Sequence, residues 1–347
     1  MKFLEAVLKQ MKCYSVLFFT LILGFPVHVM AEESALNFYV TPEFPESQID
    51  DTRKYFHIQA EPDSVQNLRL KLQNGGDKDV IVRVTAHTAY TNVLGSVEYG
   101  QDAENPDPTL KHTLDELIDT PEPITLSAKE TTTLDLALNM PKEYFEGVLA
   151  GGLRIEEVKP EDEENTLQEE GLSIENEYAY VVAVLVNNDR SSIKPDMELL
   201  DVFADQLNYR NVISANLQNF TPVFINKLAV EASVQKEGED ELLYEARQDN
   251  MQMAPNSNFN FPISLEGDRF QSGDYILKLK ATSKNDIWEW EKKFTIKADE
   301  AETLNRRDVT IGTSTNWWIM ATISLIVLLF GIFIYSLIRR RQHGKGE

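Results

Sequence analysis

One segment decides the fold class: Trp288-Glu289-Trp290-Glu291-Lys292-Lys293-Phe294-Thr295-Ile296-Lys297. Its large apolar side chains recur at alternate positions, at Trp288, Trp290, Phe294 and Ile296. Charged side chains lie on the opposite face, at Glu289, Glu291, Lys293 and Lys297. A period of two is typical of a β-strand with one packed face and one solvated face. The segment therefore predicts a strand that covers a hydrophobic core.

The same alternation extends through the second half of the chain. Its neighbour places Tyr275, Leu277, Leu279 and Ala281 on one face. Between turn residues, the pattern predicts seven strands near 197–206, 209–220, 225–238, 242–253, 256–267, 273–285 and 287–298. Seven short strands at this spacing indicate an immunoglobulin-like sandwich.

The first half follows the same rule, as in Leu68, Leu70 and Leu72, in Val80, Val82, Val84 and Ala86, and in Leu134, Leu136 and Leu138. The acidic stretch 159–165 predicts an exposed hairpin loop. The apolar run 178–186 predicts a central strand of this half, covered on both faces. The polar segment 187–192 predicts a hinge before the second half.

Two apolar segments predict the targeting of the chain. Lysines precede an apolar stretch that ends in Val29-Met30-Ala31, which predicts a signal peptide over 1–31, with Met1 or Met11 as the start. Residues 317–338 carry no charge, which predicts one C-terminal transmembrane helix. Trp317 and Trp318 would lie at the membrane interface, and Arg339, Arg340 and Arg341 would stop transfer on the cytoplasmic side.

These segments give the predicted architecture, which is all-β: two immunoglobulin-like β-sandwich domains in tandem plus one C-terminal transmembrane helix. The domains are a signal peptide (1–31), a first sandwich (32–190), a second sandwich (191–298), a linker (299–316), the helix (317–338) and a cytoplasmic tail (339–347). The chain would lie in the cell membrane with its ectodomain facing the cell wall.

The charge of the predicted ectodomain excludes one class of partner. The whole chain carries −23; removing the +2 of residues 1–31 and the +3 of residues 339–347 leaves −28 for residues 32–316. A surface of this sign repels nucleic acid. The only cysteine is Cys13, inside the predicted signal peptide, so no disulfide is expected in the mature protein.

The sequence offers little chemistry. The three histidines of the predicted ectodomain, His57, His87 and His112, lack metal-ligand spacing, and no nucleophile elbow or phosphate-binding loop is present. We therefore predict no enzyme, no metal and no cofactor. Tyr90, Asn92 and Tyr99 surround a Gly95-Ser96 turn and are the candidate wall-binding residues, because aromatic rings stack on sugars. Ordinary hairpin packing is the alternative for these three.

Six segments of the sequence resemble one known family: Asn37–Ile49, Thr88–Asn92, Met140–Gly147, Gly151-Gly152, Arg210–Asn219 and Asn250–Phe259. The family is the WxL-interacting proteins, surface proteins of Gram-positive bacteria. The resemblance implies a peptidoglycan-binding first domain, a second domain that binds host proteins such as matrix proteins, and secreted WxL-domain partners. The chain has no Trp-x-Leu of its own. The resemblance thus predicts a surface adaptor or adhesin component.

Two other functions stay open at this stage. An extracytoplasmic assembly chaperone would use a sandwich edge to accept a strand from an exported client. A wall hydrolase would need two carboxylates at fixed separation in a cleft.

Overall fold

A computed structural model of the chain describes residues 37–158, 178–311, 322–330 and 332. The predicted signal peptide and the acidic stretch 159–165 lie outside the described residues.

The described residues form an all-β protein with two short helices beside the sheets and further helical backbone at 322–330 and 332. In chain order the strands are β1 (Phe38–Glu43), β2 (Phe56–Gln59), β3 (Val65–Asn74), β4 (Val80–Thr88), β5 (Tyr90–Thr91), β6 (Val97–Glu98), β7 (Ile124–Leu126), β8 (Thr131–Asn139), β9 (Leu149–Glu157), β10 (Ala179–Asn187), β11 (Glu198–Leu207), β12 (Arg210–Asn219), β13 (Ile225–Lys236), β14 (Leu242–Met253), β15 (Ser257–Ser264), β16 (Gly273–Ser283) and β17 (Asp286–Ile296). Helix α1 (Leu114–Leu117) lies between β6 and β7, and helix α2 (Ala298–Arg307) follows β17.

The first sandwich packs a sheet of order β1-β3-β8 against one of order β2-β10-β9-β4-β7. The alternating residues of both sheets enclose one core, which includes Leu70, Val82 and Val184. Strand β10 lies between β2 and β9, so the run 178–186 belongs to this sandwich. Its inner face is buried, whereas its outer face is covered only in part: Leu185 packs against other side chains there, but Val181 is 47% exposed.

The second sandwich packs a sheet of order β11-β12-β15 against one of order β14-β13-β16-β17. All seven strands predicted in this half are present. The alternation of β17 has the predicted phase: Phe294 and Ile296 are buried in the core, and Trp288 and Trp290 are partly buried against it.

Helix α2 lies where the predicted linker, 299–316, begins. Ala301 and Asn305 are buried on one side of the helix. Asn305 accepts a hydrogen bond from Asn211 Nδ2 at 2.9 Å and donates one to Phe270 O at 2.9 Å. A buried asparagine with both halves of its amide satisfied thus attaches this polar helix to the second sandwich.

The fold-class prediction needs one correction, which concerns the transmembrane helix over 317–338. No helix within the described residues has the length and apolar composition needed to cross a bilayer. In that span the structure describes helical backbone at 322–330 and 332. Residues 317–321, 331 and 333–338 lie outside the described residues.

The described sheets are β-sandwich-like, as expected for the rest of that prediction. The immunoglobulin-like assignment and the domain boundaries stay predictions.

Candidate functional site

The two sandwiches meet in an extensive contact, here called the sandwich interface. The first sandwich contributes the β5–β6 hairpin and the segments 107–112 and 144–150; the second contributes 218–224 and 248–258. Its apolar centre is a small cluster of three buried alanines, Ala89, Ala150 and Ala254. Side chains from both sandwiches, including Tyr99 and Phe224, pack against them.

A buried carboxylate lies at the polar centre of the interface. Asp107 of the first sandwich is 6% exposed. It accepts hydrogen bonds from Gln218 Nε2 at 3.0 and 2.9 Å and from Asn258 Nδ2 at 2.6 Å, both in the second sandwich. Thr109 donates from its backbone N–H at 2.9 Å and from its hydroxyl at 2.6 Å. Burial raises the pKa of Asp107, but these hydrogen bonds outweigh it and hold the pKa below its ordinary value.

Further contacts cross the interface through the β5–β6 hairpin. Thr91 Oγ1 lies 2.6 Å from Ser257 Oγ and accepts a hydrogen bond from the backbone N–H of Ala254 at 3.0 Å. The turn of the hairpin contacts β14, where the Gly95 carbonyl accepts from Gln252 N–H at 2.8 Å. The hairpin therefore joins the two sandwiches.

The loop between β8 and β9 fastens the other end of the interface. The backbone N–H of Val148 donates to Pro222 O of the second sandwich at 2.8 Å. Gly147 has a φ of +77°, and a Cβ there would lie 2.2 Å from Pro222 O, so only glycine fits. Within the first sandwich, Asn187 Nδ2 donates to Gly147 O at 2.7 Å.

Two residues of the predicted hinge, Asn187 and Asn188, take part in these contacts. Asn187 and Asn188 are 7% and 5% exposed. Asn188 Oδ1 accepts from the backbone N–H of Phe145 at 2.8 Å, and its Nδ2 donates to Ala60 O at 2.9 Å.

An open cleft of about 650 Å³ lies beside these contacts and is called the interface cleft. The residues that line it come from both sandwiches: the first contributes Lys111, His112, Tyr144 and Val148–Ala150, and the second contributes Phe220 and Pro222. A concave site of this size, with aromatic and polar side chains, is the usual form of a ligand-binding site.

A smaller cavity of about 280 Å³ adjoins the cleft and shares Leu110 and Asn256 with it. Its lining includes three carboxylates, Asp102, Asp107 and Asp115. The acidic lining disfavours an anionic ligand.

The structure places the three candidate wall-binding residues in and beside the β5–β6 hairpin. Asn92 organises its turn: Oδ1 accepts from the N–H groups of Leu94 at 2.9 Å and Ser96 at 3.0 Å, and Nδ2 donates to Glu98 Oε1 at 2.7 Å. Tyr99 packs against the alanine cluster, and burial raises the pKa of its hydroxyl to about 12.

Tyr90, like Asn92 and Tyr99, is partly exposed. Its ring lines the smaller cavity, and its hydroxyl accepts from Gln101 Nε2 at 2.6 Å. The wall-binding role of Tyr90, Asn92 and Tyr99 stays a prediction. Trp317, Trp318, Arg339, Arg340 and Arg341 lie outside the described residues.

The sequence did not single out the cleft residues Tyr144 and Phe220. Both stand in or beside segments that carry the family resemblance, Met140–Gly147 and Arg210–Asn219. In the sequence, neither differs from an aromatic residue of the core. Several segments that carry the resemblance meet at the sandwich interface. Only the three-dimensional structure shows this meeting, so the sequence alone could not single out the two residues.

Two family models match the chain in tandem. The first, "WxL Interacting Protein, peptidoglycan binding domain", covers residues 38–157. The second, "WxL Interacting Protein, host binding domain", covers residues 169–306. Together they match most of the chain, which therefore belongs to the WxL-interacting protein family, as the resemblance predicted. The second match includes β10, although this strand pairs within the first sandwich.

Solved structures that match the chain include two chaperones and one chaperone complex. A YadV chaperone is 11% identical with a TM-score of 0.29, and the alignment covers 75% of this chain and 100% of that one. The Pseudomonas aeruginosa CupB2 chaperone is 12% identical with a TM-score of 0.27, covering 69% and 97%. A structure of the CsuC–CsuE chaperone–tip complex of Acinetobacter baumannii is 13% identical with a TM-score of 0.29, and the alignment covers 67% of this chain and 93% of that one. These scores carry no functional argument. No curated protein matches the chain.

Proposed function

We propose that the protein is a non-catalytic binding protein of the Gram-positive cell surface, which attaches to peptidoglycan and presents a surface for protein partners. The observation that carries the proposal is the tandem match to a peptidoglycan-binding and a host-binding domain. In this account, the partners are secreted WxL-domain proteins and host matrix proteins.

The structure supports this function through its rigidity. The sandwich interface joins the two domain matches by buried hydrogen bonds, so the wall-bound end and the partner-binding end move together. Rigid positioning lowers the entropy cost of binding an extended partner, because fewer degrees of freedom are lost.

Wall binding is tested by sedimentation of the purified protein with purified sacculi. We expect the protein to pellet with sacculi and to remain in solution without them. The prediction for the hairpin residues is tested in the same assay with Tyr90→Ala, since this side chain has no role in the turn. If that variant pellets like wild type, Tyr90 is not part of the wall-binding site.

Partner binding is tested by crosslinking in intact cells, followed by mass spectrometry of the proteins captured with this chain. We expect WxL-domain proteins among them and none after capture from cells that lack the protein. A solid-phase assay on immobilised host matrix proteins tests the second partner class.

The absence of catalysis is tested by zymography. Gels that contain sacculi should show no cleared zone at the position of the purified protein, and a cleared zone would favour the hydrolase instead.

A further inference from the structure

We infer that the interface cleft binds the glycan strand of peptidoglycan, and that the second sandwich therefore supplies part of the wall-binding site. This inference rests on the proposed wall binding and deepens it. It goes beyond the family domains, because Phe220 and Pro222 fall within the match to the host-binding domain, not the peptidoglycan-binding domain.

Two exposed aromatic rings line the cleft, one from each sandwich. Tyr144 of the first sandwich is 52% exposed and Phe220 of the second is 37% exposed. Both line the cleft, and the partly exposed Pro222 adds further rigid apolar surface. The apolar faces of pyranose rings pack on such surfaces, and each face removed from water stabilises the complex.

The Tyr144 side chain is held in place before any ligand binds. The Tyr144 hydroxyl donates to Asp189 Oδ2. Asp189 in turn accepts from the Ser191 backbone N–H at 3.0 Å and from its hydroxyl at 2.8 Å. The adjacent Phe145 contacts the His112 ring, with ring centroids 6.1 Å apart. A ring fixed before binding loses little rotamer entropy when the ligand arrives.

The charge of the cleft lining differs from that of the rest of the predicted ectodomain. Although the predicted ectodomain carries −28, the residues that line the cleft include one cation, Lys111, and one anion, Glu146. The cleft is therefore near neutral and does not repel an anionic polymer as the rest of the surface does. Lys111 can donate to the N-acetyl and carboxylate groups of amino sugars. Asn256 already donates both of its amide hydrogens, to Thr109 Oγ1 and Phe220 O, so its Oδ1 can accept from sugar hydroxyls, as Glu146 can.

Other hollows of the described residues fit this ligand less well. The smaller cavity is acidic. A groove of about 790 Å³ on the β14-β13-β16-β17 sheet is lined by cross-strand ion pairs, Arg247 with Glu231 and Lys280 with Glu289 at 3.0 Å. Those charges already have partners and are well solvated.

The test compares Tyr144→Ala and Phe220→Ala with wild type in sedimentation with purified sacculi. Tyr39→Ala and Tyr209→Ala are matched controls, because these tyrosines are 57% and 70% exposed and do not line the cleft. We expect each cleft variant to bind about tenfold more weakly and the controls to bind like wild type. Tyr144→Phe keeps the ring and should retain most of the binding. Thermal unfolding of each variant checks that the fold is intact.

Two soluble competitors identify the part of peptidoglycan that is bound. Peptide-free glycan strands should displace the wild-type protein from sacculi, and free stem peptides should not. Displacement by stem peptides alone overturns the inference.

The same experiment separates this inference from the proposed function. If wild type pellets and Phe220→Ala pellets equally well, the cleft is not the site, whereas wall binding stands. If wild type does not pellet, wall binding itself fails.

Discussion

Gln218 of the second sandwich donates its side-chain amide to both carboxylate oxygens of Asp107 in the first, at 3.0 and 2.9 Å. Both residues are 6% exposed. A buried charge with donors from both sandwiches couples them, because separation would break charge-assisted hydrogen bonds. We therefore expect the two sandwiches to move together, although the sequence predicted a hinge between them at 187–192.

Asp107→Ala should lower the free energy of unfolding by about 2–4 kcal/mol, because it leaves the buried amide of Gln218 and the partly buried amide of Asn258 without their acceptor. Urea unfolding followed by tryptophan fluorescence measures the change. Asp77→Ala is the control, since its side chain is 91% exposed, and it should change stability by no more than about 0.5 kcal/mol. Equal effects would show that the Asp107 contacts do not hold the interface.

The contribution of Asp107 should depend on pH. Its pKa in the folded protein lies below the ordinary value, which is about 3.9 in the unfolded chain. The stabilisation is therefore complete above about pH 4 and is lost as the pH falls through the folded-state pKa. We expect the stability difference between wild type and Asp107→Asn to be constant from about pH 7 to 5 and smaller near pH 3. A difference that grew on acidification would contradict the hydrogen-bonded carboxylate.

Gly147→Ala should disrupt the far end of the interface. The new Cβ would lie 2.2 Å from Pro222 O, and the φ of +77° adds a strain of about 1–2 kcal/mol for any residue with a side chain. We expect a lower unfolding midpoint and faster proteolysis between the sandwiches. Gly238→Ala is a control with a similar φ of +84° and open space around it, so it isolates the strain from the clash.

Trp290→Ala should destabilise the protein by about 2–3 kcal/mol, less than a fully buried tryptophan would, because this ring is only partly buried against the core. Glu291→Ala on the exposed face should change little. Urea melts of the two variants test the strand phase, and equal effects would contradict the observed register.

The sandwich strands could be predicted because their signal is local. In β17 and its neighbours, period-two alternation places the core residues correctly from sequence alone. The same alternation carries no information on how two sandwiches meet.

The interface was missed because its residues look like loop residues. Asn187 and Asn188 read as a polar hinge, yet both are buried with satisfied amides. Helix α2 was missed for a related reason: Asn305, which attaches it, is polar, and a buried amide gives no hydrophobic period. Such contacts depend on partners about 35–130 positions away, which local patterns do not encode.

The surface charge makes a distinct prediction about how the protein would bind the wall. With −28 on the predicted ectodomain, long-range attraction to an anionic wall cannot contribute, and binding must depend on short-range stacking and hydrogen bonds. Salt shortens the screening length from about 10 Å at 0.1 M to about 3 Å at 1 M, which weakens the repulsion. Affinity should then hold or rise with salt.

Sedimentation of the wild-type protein with purified sacculi, at about 0.1 M and about 1 M salt, tests whether the protein binds the wall through short-range contacts. We expect the protein to pellet with sacculi at both salt concentrations, with an equal or larger bound fraction at high salt. A protein that stays in solution, or binding that collapses at high salt, would contradict it.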